Sequence, residues 1–148
     1  MPIEDKIKQT RFRSEYHRLL ANLFYQYNGL IYEHQKLLKP FDISFQQYNI
    51  LSILRGQYPN AASIQLLKER LVDQNSDVSR LVDRLFKKKL LSRNTCPKDR
   101  RQVDVIISKE GLAVLTQIDE QTEKFDSLVS GLSIEEAESL NHLLDKIR

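Results

Sequence analysis

The chain has 148 residues, 41% of them hydrophobic and 29% charged, and a net charge of +3, which fits one soluble globular domain with enough length to bury a core. No apolar run approaches the roughly 20 residues that cross a bilayer, and the opening MPIEDKIKQTRF lacks the apolar centre of a signal peptide, so a cytoplasmic protein is expected. A single cysteine, Cys96, cannot close an internal disulfide.

Residues 7–38 predict one long amphipathic helix, because Tyr16, Leu20, Leu23, Tyr27, Leu30 and His34 recur at alternating spacings of four and three, with Leu19, Phe24 and Ile31 widening the stripe. A helix of about 30 residues spans ~45 Å, more than a small core needs, and the surplus points to a partner. Lys39-Pro40 ends it, since the residue before proline is pushed out of the α region. Ser44 and Gln47 have the spacing of a capping box and open a second helix to about Gln57, with Phe45, Tyr48, Leu51 and Leu54 inward. After Tyr58-Pro59-Asn60, Ser63 caps a third helix over 64–72, with Leu66, Leu67 and Leu71 as core candidates.

A short polar turn at Asp73 and Gln74 leads to a fourth helix capped by Asn75 or Ser76. Its Val78, Leu81, Val82 and Leu85 share one face, while Ser76, Arg80, Asp83, Arg84 and Lys87 fall opposite. A turn at 96–101 follows, flanked by strand-like residues at 93–95 and 103–107. Two helices joined by a short turn, the second with a basic face, predict a helix-turn-helix, and the hairpin makes it winged. Nine bases and two acids lie between Arg80 and Arg101, a local net of +7 in a chain of +3, so the remainder carries −4 and the cationic character belongs to one patch. Such a focused field favours a polyanion. The competing reading of any such charge run is a solvated helix face.

Ser108 caps a fifth helix running to about Val129, Gly131 ends it, and Ser133 with Glu136 forms a second capping box that opens a final helix with Leu140, Leu143, Leu144 and Ile147 inward. From Lys109 onward nine acids face four bases, so this part repels DNA and is better placed against the first helix, of this chain or of a second copy. The expected fold is therefore mainly α: six helices and a small β-hairpin wing in one domain over 1–148. Residues 42–108 form the DNA-binding lobe, and residues 1–38 and 109–148 the dimerisation helices.

The candidate DNA-binding residues are Ser76, Asp77, Ser79, Arg80, Arg84, Lys87, Lys88, Arg93, Lys98, Asp99, Arg100 and Arg101. Arg80 and Arg84 lead as base contacts, because guanidinium is a bidentate donor to guanine O6 and N7. The plain alternative for either is a pair with Asp83. Ser76, Asp77 and Ser79 sit at a helix N-terminus suited to phosphate or base-edge contacts. Asp99 and Arg101 are two apart in an extended tip, where the carboxylate can hold the guanidinium for a narrow minor groove, and Lys98 and Arg100 suit phosphates. Cys96, near Arg93, Lys98 and Arg100, is either a redox-active thiolate or an incidental loop residue. His17, His34 and His142 are scattered without metal spacing, and neither a G-x-S-x-G nor a phosphate-binding glycine loop is present, so no enzyme, cofactor or metal is expected. Tyr16, Tyr25, Tyr27, Tyr32 and Tyr48 either line an effector pocket or are plain core. The alternative to a DNA-binding regulator is a winged-helix protein–protein interaction module, which the +7 segment disfavours.

Laid out in this way, the chain resembles the MarR family of bacterial and archaeal regulators over nearly its whole length. The resemblance is most specific in SRLVDRLFKKKLLSR at 79–93, P-x-D-R-R at 97–101 and I-S-x-x-G at 107–111. It implies a homodimeric winged helix-turn-helix transcriptional regulator, a repressor on precedent. The first and last two helices would form the dimer interface, and the protein would bind a near-palindromic operator and be released by a small, frequently phenolic effector. It also implies that the wing enters the minor groove. Lys89 departs from the family pattern, which has glycine there as the left-handed residue closing the recognition helix. A side chain at that position either costs on the order of 0.5–1 kcal/mol or lets the helix run further.

Overall fold

A computed structural model describes residues 1–95, 98–99 and 101–147. Among them, α-helices run over Ile3–Ile7 (α1), Glu15–Leu38 (α2), Phe45–Gln57 (α3), Ile64–Arg70 (α4), Val78–Lys87 (α5), Lys109–Asp119 (α6), Thr122–Asp126 (α7) and Ile134–Leu144 (α8). Strands lie at Ala62–Ser63 (β1), Leu91–Thr95 (β2) and Val103–Ile107 (β3). The mainly helical winged helix-turn-helix expected from sequence is present; of its six expected helices the first starts late, behind a short extra helix, and the fifth is divided.

The long N-terminal helix expected over 7–38 starts instead at Glu15. Lys8 adopts the left-handed conformation (φ 53°) after α1, and the Ser14 side chain accepts from the His17 N–H (3.2 Å) to start α2 afresh. A serine hydroxyl that can take a first-turn N–H favours a helix start over a helix interior. The main helix thus has 24 residues, or ~36 Å, and α1 folds back on it through buried Ile3 and a Glu4–Arg18 ion pair of 2.7 Å. The division falls in the helix expected to run from Ser108 to Val129. Ser108 does cap α6, accepting from the Gly111 N–H, but the helix stops at Asp119, where Gln121 leaves helical geometry (ψ 8°) and the Thr122 hydroxyl donates to the Asp119 carbonyl.

Both capping boxes close as the spacing predicts. In α3 the Ser44 hydroxyl accepts from Gln47 N–H (3.1 Å) while Gln47 Oε1 accepts from Ser44 N–H (3.0 Å), and in α8 Ser133 and Glu136 do the same. Helix α4 ends two residues earlier than expected: Leu71 is its cap and is buried, whereas Val72 is exposed. The core gathers Leu38 from α2, Ile50, Leu51 and Leu54 from α3, Leu67 from α4, Val82 and Leu85 from α5, Val105 from β3 and Leu115 from α6. An Arg55–Asp119 pair at 2.6 Å ties α3 to α6 at its rim.

The sheet has three strands in the order β1-β3-β2, all antiparallel. The expected hairpin pairs Leu91 with Ile107 through to Thr95 with Val103. The added strand β1 pairs Ala62 with Val105 and Ser63 with Asp104, so the inner edge of the wing is covered. Gly111 lets α6 approach β2: a Cβ there would lie 2.2 Å from the Leu90 carbonyl oxygen and 2.7 Å from Ile107 Cγ1. By contrast, Leu140, Leu143, Leu144 and Ile147, expected inward, are exposed on this single chain. They share that exposure with Tyr16, Leu20, Phe24 and Tyr27 of α2.

Candidate nucleic-acid interface

Helix α5 is capped by Asp77, whose Oδ1 accepts from the Arg80 N–H at 3.1 Å. This corrects the expected cap at Asn75 or Ser76. Residues 73–76 are instead held in a turn, the Asp73 carboxylate taking the Asn75 N–H (3.1 Å) and its carbonyl the Ser76 N–H (3.2 Å), so the helix starts after them. Asp77 therefore serves the backbone, and the Ser76 hydroxyl is buried without a protein partner among the described residues. The helix buries Val78, Val82 and Leu85 and exposes Ser79, Arg80, Asp83, Arg84 and Lys87.

The C-terminus of α5 settles the role of Lys89. Its φ of 62° is left-handed, the Lys89 N–H donates to the Phe86 carbonyl (2.9 Å), and the Leu90 N–H reaches the Leu85 carbonyl (3.0 Å). These two bonds form a Schellman motif, closed by the buried pair Leu85 and Leu90. The helix stops where a glycine would stop it, and the lysine takes up the strain.

The exposed residues of α5 divide between two flanks. Ser76, Asp77, Arg80 and Arg84 line a groove against Ser44, Gln46 and Asp73. Ser79, Asp83 and Phe86 face the wing, across a second groove from Arg93, Thr95 and Val103. Neither Arg80 nor Arg84 makes an ion pair among the described residues. The pair with Asp83 that either could have made belongs to Arg93, which also lies over the Phe86 ring at 4.5 Å. Lys88 likewise turns inward and donates to the Asp42 backbone carbonyl.

At the wing tip Lys98, Asp99 and Arg101 are exposed. The expected carboxylate–guanidinium hold is replaced by a backbone contact: Asp99 Oδ1 accepts from the Arg101 N–H (2.9 Å), and the Asp99 carbonyl accepts from the Gln102 N–H (3.0 Å). A short carboxylate two residues back reaches the amide before it reaches the far end of an arginine. Arg100 and Cys96 lie outside the described residues. Gln65 and Lys68 of α4 share a shallow cleft with Asp99 and Arg101. With Gln46 they line clefts shared with the candidate residues and escaped sequence reasoning, because none lies within the cationic run over residues 80–101.

Where α2, α3 and α7 meet, the His34 ring packs against Phe45 (5.1 Å), Tyr48 (5.7 Å) and Phe125 (4.6 Å). Burial lowers the His34 pKa, and its Nδ1 is buried without a partner among the described residues. Of the five tyrosines considered as effector lining, Tyr48 joins this cluster, whereas Tyr16, Tyr25, Tyr27 and Tyr32 are exposed on α2. No helix is long and apolar enough to cross a membrane among the described residues.

With this geometry in place, residues 43–103 match the MarR family model. A MarR transcription factor from Planctomyces limnophilus is similar at 28% identity and a TM-score of 0.71, covering 91% of this chain and 98% of that one. A cysteine-to-serine mutant of MarR from E. coli, complexed with operator DNA, is similar at 25% identity and a TM-score of 0.80, covering 93% of this chain and 99% of that one. Bordetella bronchiseptica BpsR, described for regulation of its DNA binding by 6-hydroxynicotinic acid, is similar at 26% identity and a TM-score of 0.78, covering 88% and 98%.

Proposed function

We propose, from a chain that carries a MarR-family domain over residues 43–103 within the fold of that family's regulators, that this protein is a sequence-specific double-stranded-DNA-binding transcriptional regulator. It acts as a repressor in the cytoplasm, on a near-palindromic operator. The observation that carries the reading is the groove of α5, where Arg80 and Arg84 stand exposed and unpaired among the described residues. Guanidinium groups on a protruding helix suit the major-groove edge of guanine, and a wing tip bearing Lys98 and Arg101 suits the adjacent backbone and minor groove.

The active unit in this reading is a homodimer. Residues 1–38 and 109–148 supply its interface and residues 42–108 the DNA-binding lobe. Tyr16 at 81% exposure, Phe24 at 65% and Leu143 at 57% are apolar surface that one chain leaves wet, and large exposed apolar patches mark contact sites. Two α5 helices then enter major grooves about one helical turn, roughly 10–10.5 bp, apart. A small aromatic effector, as the relative regulated by 6-hydroxynicotinic acid suggests, would act by binding better to a dimer whose spacing misfits that register.

Selection of binding sites from random duplex DNA tests the reading. It expects a near-palindrome bound by a dimer, weakened by about 1–3 kcal/mol and relaxed at one base position in Arg80→Ala, and weakened without relaxation in Lys98→Ala. A monomer in solution or binding without sequence preference would overturn it and favour the interaction module.

A further inference from the structure

We propose that Ser108 is a positioning residue for the reading of DNA: its hydroxyl fastens the end of α5 to the start of α6, and through that joint the dimerisation helices set where α5 stands. The inference rests on the regulator reading above and goes beyond it, since Ser108 is not among the residues offered to DNA.

Five helices of this chain are capped by serine, at Ser14, Ser44, Ser63, Ser108 and Ser133, and each hydroxyl accepts a first-turn N–H of its own helix. Among the described residues, Ser108 is the one cap whose hydroxyl also donates. It gives its proton to the Lys89 carbonyl at 2.7 Å while taking the Gly111 N–H at 3.0 Å, and its backbone N–H reaches the Leu90 carbonyl at 3.1 Å. One half-buried side chain thus joins the residue that closes α5 to the first turn of α6. A hydroxyl that donates and accepts at once strengthens both bonds.

Lys89 is the second indication. It is held left-handed at φ 62°, and a non-glycine residue keeps such a conformation only where its surroundings fix it. The Ser108 hydroxyl is one of those fixings. The same place is the root of the wing, where Leu91 of β2 pairs with Ile107 of β3, so α5, the hairpin and α6 meet at this serine. The other holder of α5 is the core it shares with α6, through Val82, Leu85 and Leu115. Apolar packing of that kind is non-directional, whereas a hydrogen bond fixes distance and angle. Half-sites moved by one base pair are displaced by about 3.4 Å, and to reject them a dimer must hold each α5 more closely than that.

The test measures binding of the full chain to the selected operator and to operators whose half-sites stand one base pair closer or farther apart. Ser108→Gly removes the hydroxyl with little loss of capping, Ser108→Asp keeps the acceptor for the Gly111 N–H and removes the donor, and Ser108→Thr keeps both. The added charge of Ser108→Asp acts alike on every spacing and cancels in the ratio; thermal melting checks that each variant folds. The preference for the correct spacing should fall about three- to tenfold in Ser108→Gly and Ser108→Asp, hold its wild-type value in Ser108→Thr, and leave base preference within each half-site unchanged in all three. Hydrogen exchange of the Leu90 amide, which closes α5 on the Leu85 carbonyl, should quicken in the same two variants. A spacing preference unchanged in Ser108→Gly and Ser108→Asp overturns the proposal and leaves the core as the holder of α5. An equal loss in Ser108→Thr, or unchanged exchange at Leu90, overturns it too. If the wild type selects no duplex, the regulator reading fails and the role of Ser108 falls with it, an outcome distinct from a protein that binds its operator and is indifferent to the serine.

Discussion

The Arg93 guanidinium on β2 pairs with the Asp83 carboxylate and lies over the Phe86 ring, both on α5. The wing is thereby fastened to the recognition helix one turn before that helix ends. An exposed pair of this kind adds less than about 1 kcal/mol to stability, but it sets the angle between α5 and the wing, the two elements proposed to meet DNA.

A double-mutant cycle separates positioning from direct contact. Arg93→Ala and Asp83→Ala should each weaken operator binding, and the double variant should be no worse than the more damaging single one, the sign of a coupled pair. Losses that add would mean that Arg93 meets DNA by itself and that Asp83 is incidental.

Lys89→Gly should raise stability by about 0.5–1 kcal/mol, because a residue with a Cβ now holds a left-handed conformation that glycine adopts freely. A higher urea midpoint with an unchanged slope is the expected record. Lys89→Ala, which keeps the Cβ, should show no such gain.

Gly111→Ala should destabilise by about 1–3 kcal/mol, since the added methyl meets the Leu90 carbonyl oxygen, which is backbone and cannot swing aside. Gly29→Ala makes the comparison: nothing lies within 4 Å of a Cβ there, and in the middle of α2 alanine should stabilise by about 1 kcal/mol. Thermal melting of the two variants should move in opposite directions.

Burial holds the His34 pKa below its usual value, so the unfolded chain binds the proton more readily than the folded one. Stability is therefore fully present above the unfolded pKa of about 6.5 and declines as the pH falls toward the lower folded value. Melting temperature should drop between about pH 7 and pH 5, and His34→Gln should flatten that part of the profile. An unchanged profile in the variant would show that His34 titrates alike in both states.

Features governed by local chemistry were legible in the sequence. The two capping boxes, the apolar face of α5 and the strands of the wing each depend on residues within one turn or one hairpin. The break after α1 was not legible, because residues 8–14 contain neither proline nor glycine and the stop rests on a left-handed lysine and a serine cap. Strand β1 escaped because two residues carry no alternation to read. For the candidate site, the sequence identified the cationic patch but not the partners within it. Asp83 meets Arg93 ten residues on, and Lys88 meets Asp42 forty-six residues back; such pairings depend on tertiary packing, which spacing along the chain does not encode.

Ser63 both ends β1 beside Asp104 of the wing and caps α4 by accepting from the Leu66 N–H. A tilt of the hairpin about its root must therefore pull on the first helix of the helix-turn-helix, and through Arg93 on the second. Lever and pivot are joined at both ends, so in the proposed regulator any displacement of the wing is carried into both helices of the helix-turn-helix together.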